Sequence, residues 1–436
     1  MDAHGGIIAR RRPPGRRGDY PSRALRRLAL ILAVVVVLAA GAVAALVVYR
    51  LHQLGDVRGS STEYSVAEPT TVALPAGVSW PMYGFGPART RSVGLALRPP
   101  FRKLWTYHAG SLVEFPPSIG YGRLYLSTNS GKFVAVNLRT GKRAWKYFSH
   151  RCVAASPAVG AFGSVFMAFL NKPPCNRSPG AKGIDGEVVR FAVGLGHVKW
   201  RTKTGPSETS PLLVAGRVYV GDWNGDVWAL AGHDGRVLWR FHTKGAVKGG
   251  LAFWHGRLYV GSYDGHLYCL STAGKLLWKA SGQGTLLHGG AFYATPAVAH
   301  GRVYVGSTDG RLYSFGAVSG KLRWSHGTGG YVYSSAAVWH DLVLVGSYSH
   351  RFEAFDAATG ERRWSFDANG PISGSPTVVG DVVYFATLEQ RTYALAVASG
   401  RQLWTFPDGK YSPVVAGGRR LFLVGYGLVY GMVPRQ

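Results

Sequence analysis

The residues whose types could do chemistry are few and scattered. Cys152, Cys175 and Cys269 are the only cysteines, and none stands in a CxxC pair or beside a histidine at zinc-ligand spacing. There is no G-x-S-x-G elbow, HExxH helix, phosphate-binding glycine loop or CxxCH haem signature. Lone histidines such as His288 fit hydrogen-bonded loop positions. The sequence therefore names no catalytic residue, no cofactor ligand and no metal ligand. What it does carry is positive charge: 50 Lys and Arg against 22 Asp and Glu, a formal net charge of +28. Most of that excess lies beyond Ser60, so basicity belongs to the whole chain and selects anionic partners.

The elements that must position these residues begin with Leu28 to Val48, LALILAVVVVLAAGAVAALVV, which holds no charge or strongly polar group. As a helix it spans about 32 Å, the thickness of a bilayer's hydrocarbon core. Arg10, Arg11, Arg12, Arg16, Arg17, Arg23, Arg26 and Arg27 precede it, and arginines this close to a membrane stay in the cytoplasm. The expected order is a basic cytoplasmic tail over 1–27, a transmembrane helix over 28–48, a tether over 49–79 and an extracytoplasmic domain over 80–436. A cleaved signal peptide is the alternative, but the apolar run exceeds the usual length of one. This topology places the basic domain away from nucleic acid.

Eight tryptophans close near-identical phrases: Trp105, Trp145, Trp200, Trp239, Trp278, Trp324, Trp364 and Trp404, seven of them spaced 39 to 55 residues from the one before. A period near 40 with strand-like content predicts a propeller. In one period, TPAVAHG, RVYVGS, LYSFGA and KLRWSH read as strands A to D, with Asp-Gly or Asn-Gly at Asn224, Asp264 and Asp309 suited to two-residue type I′ hairpins between B and C. Four antiparallel strands per period make one blade. The chain ends after an A to C set, 411–433, while Trp105 opens the repeats as a lone D strand near 102–107. Joining the two completes an eighth blade and removes the open sheet edges. The expected fold is all-β: an eight-bladed propeller of four-stranded blades behind one transmembrane helix.

The phrase VYVGSTDGRLYSFGAVSGKLRW resembles the repeat of the pyrroloquinoline-quinone-type (PQQ-like), tryptophan-docking propellers, and WPMYGFGPARTR from Trp80 is similar to the lead-in of such domains. The resemblance covers about four-fifths of the chain. It implies that the eight tryptophans are structural, packing between neighbouring blades. The family divides into quinoprotein dehydrogenases and smaller propellers that share only the fold. Cofactor residues do not carry over: the dehydrogenases stack quinone on a disulfide between adjacent cysteines, whereas those here are isolated. Glu114 and Glu208 precede strand A where a calcium ligand of such enzymes would sit, and solvated loop acids are the plainer reading of both.

Function on a propeller lives where the repeat is broken, because the common residues are needed for packing. The B–C hairpin of blade 2 swells into LNKPPCNRSPGAKGIDGE. D–A and B–C loops share one face, so Cys152 and Cys175 are candidates for a disulfide worth about 3 kcal/mol by loop entropy, the alternative being two free thiols. Cys269 lies in a strand C pattern as a small buried hydrophobe. A long segment, SGQGTLLHGGAFYATP, leads into blade 5. With it, Lys248, His288, Tyr293, Tyr331 and Tyr333 are candidates for one channel mouth, an aromatic and basic rim suited to an anionic or sugar ligand. Blades 6 and 7 replace Asp-Gly by Ser349-His350 and Glu389-Gln390.

The expected function is that of a monomeric, non-catalytic binding or scaffold module, single-pass in the cytoplasmic membrane, facing an envelope protein or anionic polymer. The resemblance extends to the propeller lipoprotein of outer-membrane β-barrel assembly, with a helix here in place of a lipid. The alternatives are a PQQ-dependent oxidoreductase using quinone and calcium, and a ligand-sensing ectodomain, for which Met1 to Arg27 is too short to carry a kinase.

Overall fold

The computed structural model describes residues 23–66, 73–175, 184–285 and 289–435. Two compact units divide the chain at Gln53. The first contains one helix, α1, Arg23–Gln53. Leu25–Tyr49 within it is long and apolar enough to cross a membrane. The helix thus runs beyond both ends of the expected span, and the tail 1–22 lies outside the described residues.

The second unit is all-β and contains eight sheets, one per blade. In blade 5 the strands are Ala297–Ala299, Arg302–Gly306, Arg311–Gly316 and Leu322–Gly327, each antiparallel to the next. The alternation puts Tyr304 and Trp324 on one face of the blade, where they bury against Val343, Val345 and Phe355 of blade 6. One blade has two apolar faces and nothing of its own to cover them, so burial is obtained only from neighbours. The ring closes as the sequence implies. The first long strand, Phe101–His108, pairs with Leu428–Pro434, so the chain's two ends complete blade 8.

Seven of the eight tryptophans dock on a glycine of the next blade. Trp324 Nε1 donates to the Ala357 carbonyl at 3.0 Å, and its ring covers Gly360, whose φ is +76° and where an added Cβ would lie 2.6 Å from the indole. The same pair recurs as Trp145 with Gly196, Trp200 with Gly235, Trp239 with Gly274, Trp278 with Gly320 and Trp364 with Gly400. Trp105 lies over Gly141, but its buried Nε1 finds no acceptor. Trp404 is the exception to the docking expectation. Its neighbour is blade 8, where the two chain ends replace the C–D turn, and it packs edge-on to Phe101 at 5.6 Å instead.

Two expectations need correction. The B–C hairpins are not two-residue type I′ turns: only Gly225, Gly265 and Gly310 take positive φ, and the preceding Asn or Asp do not. In blade 5, Gly310 N–H donates to Ser307 O and Ser307 N–H to Arg311 O, a wider turn capped by Asp309 Oδ1 accepting from Arg311 N–H. Blades 6 and 7 keep this geometry with His350 at φ +69° and Gln390 at φ +55°, so their sequence changes leave the hairpin shape unaltered.

The segment 49–79 is not a free tether. After α1, Val57 exchanges two backbone hydrogen bonds with Ser325 on the outer strand of blade 5, and Arg302 donates to the carbonyls of Ser60 and Thr62. Asp56 pairs with Arg311 at 3.0 Å and Glu63 with Arg323, which explains the attachment: two of the chain's scarce acids meet a basic blade edge. Residues 67–72 lie outside the described set.

The lead-in belongs to the inside of the ring. Val78–Trp80, β1, adds to the innermost strand of blade 1, and Ser92–Val93, β2, lies parallel to that of blade 7. Between them the carbonyls of Pro81, Pro87, Ala88, Thr90 and Arg91 accept N–H groups from Val159, Phe253, Val298, Val338 and Val378, the inner strands of blades 2, 4, 5, 6 and 7. The Arg89 side chain serves blade 3, donating to Ser210 and Pro211 carbonyls. The segment therefore makes one circuit of the axis and satisfies inner-strand donors that would otherwise be buried unpaired.

A Gly360→Ala substitution forces both a left-handed alanine and a clash with Trp324. It should destabilise by about 2 kcal/mol or more, lowering the thermal midpoint by several degrees, measured by calorimetry on the full chain.

Candidate functional site

The D–A loops bring a ring of side chains to the axis on one face of the disc. Glu114, Glu208, Lys248, Tyr293, Tyr333 and Ser373 come from the loops of blades 1, 3, 4, 5, 6 and 7. Each sits where the chain leaves an outer strand and drops to the next inner one. Two residues on, a hydroxyl ties loop to loop: Gly250, Thr295 and Ser335 N–H groups donate to Thr295 Oγ1, Ser335 Oγ and Ser375 Oγ at 2.8 to 3.0 Å. This belt fixes the channel wall, so the side chains above it are held by backbone and not by loop packing alone.

Of the five expected mouth residues, the structure brings three to one place. Lys248 Nζ lies 3.7 Å from Glu208 Oε1, 4.6 Å from the Trp223 ring centroid and 5.1 Å from that of Tyr263. Tyr293 packs edge-on to Tyr333 at 4.9 Å and to Tyr263 at 6.2 Å. Tyr331 stands farther out, half exposed, against Tyr333 and Tyr348. His288 lies outside the described residues. Tyr426 and Tyr411, on the far side, share Lys410, whose Nζ is 5.3 and 5.8 Å from their rings. Aromatic rings and lysines thus form an arc on this face, and Trp and Tyr are residues in which binding energy concentrates at interfaces.

The acids here are not the solvated loop acids the sequence suggests. Glu208 is buried, and burial pushes its carboxyl up to about 7; Lys248 opposes the shift and Glu114 adds to it. Burial also raises Glu114, and it holds the Tyr293 hydroxyl well above its ordinary value. A propeller acid facing the axis has no bulk water on any side, which is why its position in the repeat, not its residue type, decides its state.

Cys152 and Cys175 are joined in the structure as a disulfide with Cα atoms 5.6 Å apart. It packs with Leu170 and Trp223, clamping the swollen hairpin of blade 2 beside the mouth. Residues 176–183 of that hairpin lie outside the described set. Cys269 is buried and free.

Sequence reasoning passed over Trp223, which stands in a B–C hairpin, and Tyr83, Arg89 and Arg91 of the lead-in. The signal was present in Arg89 and Arg91, two arginines inside a segment otherwise rich in apolar residues. The opposite face carries a mostly apolar groove of about 510 Å³ between blades 2 and 3. Phe162, 97% exposed, is among its lining residues.

These features define an eight-bladed propeller of PQQ-like, tryptophan-docking repeats. The family model described as outer membrane protein assembly factor BamB matches residues 181–246, 224–338 and 327–432, and the chain belongs to that family. Among curated relatives, it is 32% identical over 91 residues to the outer membrane protein assembly factor BamB of Nitrosomonas eutropha, 20% of this chain and 22% of that one. It is 29% identical over 179 residues to the quinohemoprotein alcohol dehydrogenase of Comamonas testosteroni, 39% of this chain and 19% of that one. The chain thus spans well under half the length of either. The solved structure of BamB from Moraxella catarrhalis superposes with a TM-score of 0.61 at 17% identity, over 78% of this chain and 99% of that one. The Comamonas testosteroni enzyme gives 0.66 at 15% identity, over 82% and 81%. Both likenesses concern the fold.

A tricyclic quinone does not fit the residues present. The axial cavity holds about 60 Å³ above the lead-in, far below the roughly 300 Å³ at which small-molecule sites begin. Among the described residues, no three His, Cys, Asp or Glu side chains gather as a cation site. No redox step is derived through such a group.

Glu208 supplies a pH test. Its folded carboxyl titrates near 7 against 4.5 ordinarily, so between those values the folded state holds a proton that the unfolded chain has lost. Stability should fall as pH rises through this window. Glu208→Gln should therefore be more stable than wild type at pH 8, by roughly 3 kcal/mol, and equal to it near pH 4, read from thermal midpoints across pH.

Proposed function

We propose that this protein is a membrane-anchored binding module whose D–A and B–C loop face takes an envelope protein or an anionic polymer. The observation that carries this reading is the arc of Trp223, Tyr263, Tyr331, Tyr348 and Tyr426 with Lys248 and Lys410 around the mouth. Rigid aromatic rings offer large contact area at little entropic cost, and the lysines add charge complementarity. The apolar stretch of α1 supports an anchor in the cytoplasmic membrane, with the arginines before it inside and the propeller outside. The name of the family, an assembly factor, supports a protein partner in the envelope.

The oxidoreductase reading draws on the quinohemoprotein relatives, and the small axial cavity counts against it. The sensing reading has no observation in its favour.

The test uses the full chain in nanodiscs, titrated with a polyglycerol-phosphate polymer and cross-linked in its native envelope. Tyr331→Ala, Tyr426→Ala and Lys410→Ala combined should weaken polymer binding or cross-linking at least tenfold, with the thermal midpoint within a few degrees of wild type. Undiminished binding by this variant would contradict the assignment of the face.

A further inference from the structure

The guanidinium of Arg91 forms the floor of the axial cavity and is 1% exposed. Its Nε and Nη2 are buried and have no hydrogen-bond partner among the described residues. Its Cζ lies 3.9 Å above the Tyr83 ring, so one face of the plane is covered by stacking. Arg89, two residues earlier, is its internal control. Also fully buried, it spends its nitrogens on the carbonyls of Tyr83, Leu251, Ser210 and Pro211.

No carboxylate neutralises Arg91 among the described residues. Glu114 lines the same cavity, but its titration answers to burial alone. Burial draws the Arg91 guanidinium down, opposed only by Tyr83. An arginine cannot escape this by releasing its proton at any ordinary pH, and a buried unpaired charge is costly. The backbone nevertheless holds it in place: Arg91 takes φ +58° and Arg89 +60°, a conformation non-glycine residues avoid.

Tyr83, Ser375, Ser412, Tyr293 and Tyr333 line the same cavity; the Ser412 hydroxyl donates to the Glu114 carbonyl and those of Tyr83 and Ser375 bond to each other, which leaves the Tyr293 and Tyr333 hydroxyls. A guanidinium in a cavity also lined by the Tyr293 and Tyr333 phenols makes a planar-anion clamp, and about 60 Å³ admits a carboxylate group and little more. We infer that Arg91 and these hydroxyls form a carboxylate-binding site at the base of the axial channel. The carboxylate is either that of a small free acid or the end group of a peptide reaching in past Tyr293 and Tyr333. The site stands independently of any macromolecule bound on the face above.

The experiment titrates the full-length, detergent-solubilised protein with formate, acetate and a short peptide acid at fixed ionic strength, reading the thermal midpoint and ligand-detected NMR. Formamide, acetamide and the peptide amide are the controls. The wild type should be stabilised in a saturable manner by at least one carboxylate and by none of its neutral counterparts. Response to formate and acetate identifies a free acid, and response to the peptide acid alone identifies a chain end. Arg91→Gln should lose at least tenfold in affinity, and Arg91→Lys should recover part of it. Should Arg91→Gln fail to fold, the acid-against-amide comparison on wild type decides alone. Equal response to acids and amides, no response to any carboxylate, or unchanged affinity in Arg91→Gln would overturn the assignment.

Discussion

The contact between an indole and a glycine of the next blade is the interaction on which everything else depends. Six of the eight tryptophans, each on an outermost strand, donate to a carbonyl at the neighbour's C–D turn, while the ring lies where a Cβ would be. That contact is possible only if the turn residue has no side chain and takes positive φ, and both conditions point to glycine. Repeated around the disc, it sets the spacing and angle of successive sheets. Where the chain ends interrupt the pattern, Phe101 takes the glycine's place beneath Trp404.

A ring built this way leaves inner-strand backbone groups at its axis with no sheet partner. The lead-in from Trp80 resolves that by running once around the axis and accepting those hydrogen bonds. In doing so it turns an open channel into a one-sided pocket with Arg91 at its floor, while Arg89 is buried beside it. Arg89 is wholly consumed by carbonyls; Arg91 keeps Nε and Nη2 unpartnered among the described residues. The face with the D–A loops is then the side from which the pocket can be reached, and it is also the side bearing the aromatic arc and the Cys152–Cys175 clamp.

The blades were legible because their signals are local and repeated: a strand, a turn residue, a strand and a tryptophan, written eight times. Blade 8 was legible too, since its missing strand D is found at Trp105. What was not legible arises between distant segments. Nothing in the composition of 54–66 says that Asp56 and Glu63 will meet Arg311 and Arg323 some 250 residues later. Nothing in WPMYGFGPARTR says that its carbonyls answer five different blades. The hairpin type was misjudged for a related reason, because Asp-Gly serves two turn geometries and only the hydrogen bonds from Ser307 and Gly310 tell them apart. Of the mouth, Lys248, Tyr293 and Tyr333 followed from loop position within the repeat, whereas the protonation of Glu208 depends on burial that no single loop reveals.

Two surfaces compete for the role of working face: the aromatic mouth and the apolar groove beside Phe162 on the opposite side. The measurement that separates them most directly places a photo-activatable residue at Tyr331 in one full-length variant and at Phe162 in another. Both are then irradiated in the native envelope. The account predicts covalent adducts from position 331 and none from 162. Adducts from 162 with none from 331 would contradict it and move the binding face to the other side of the disc.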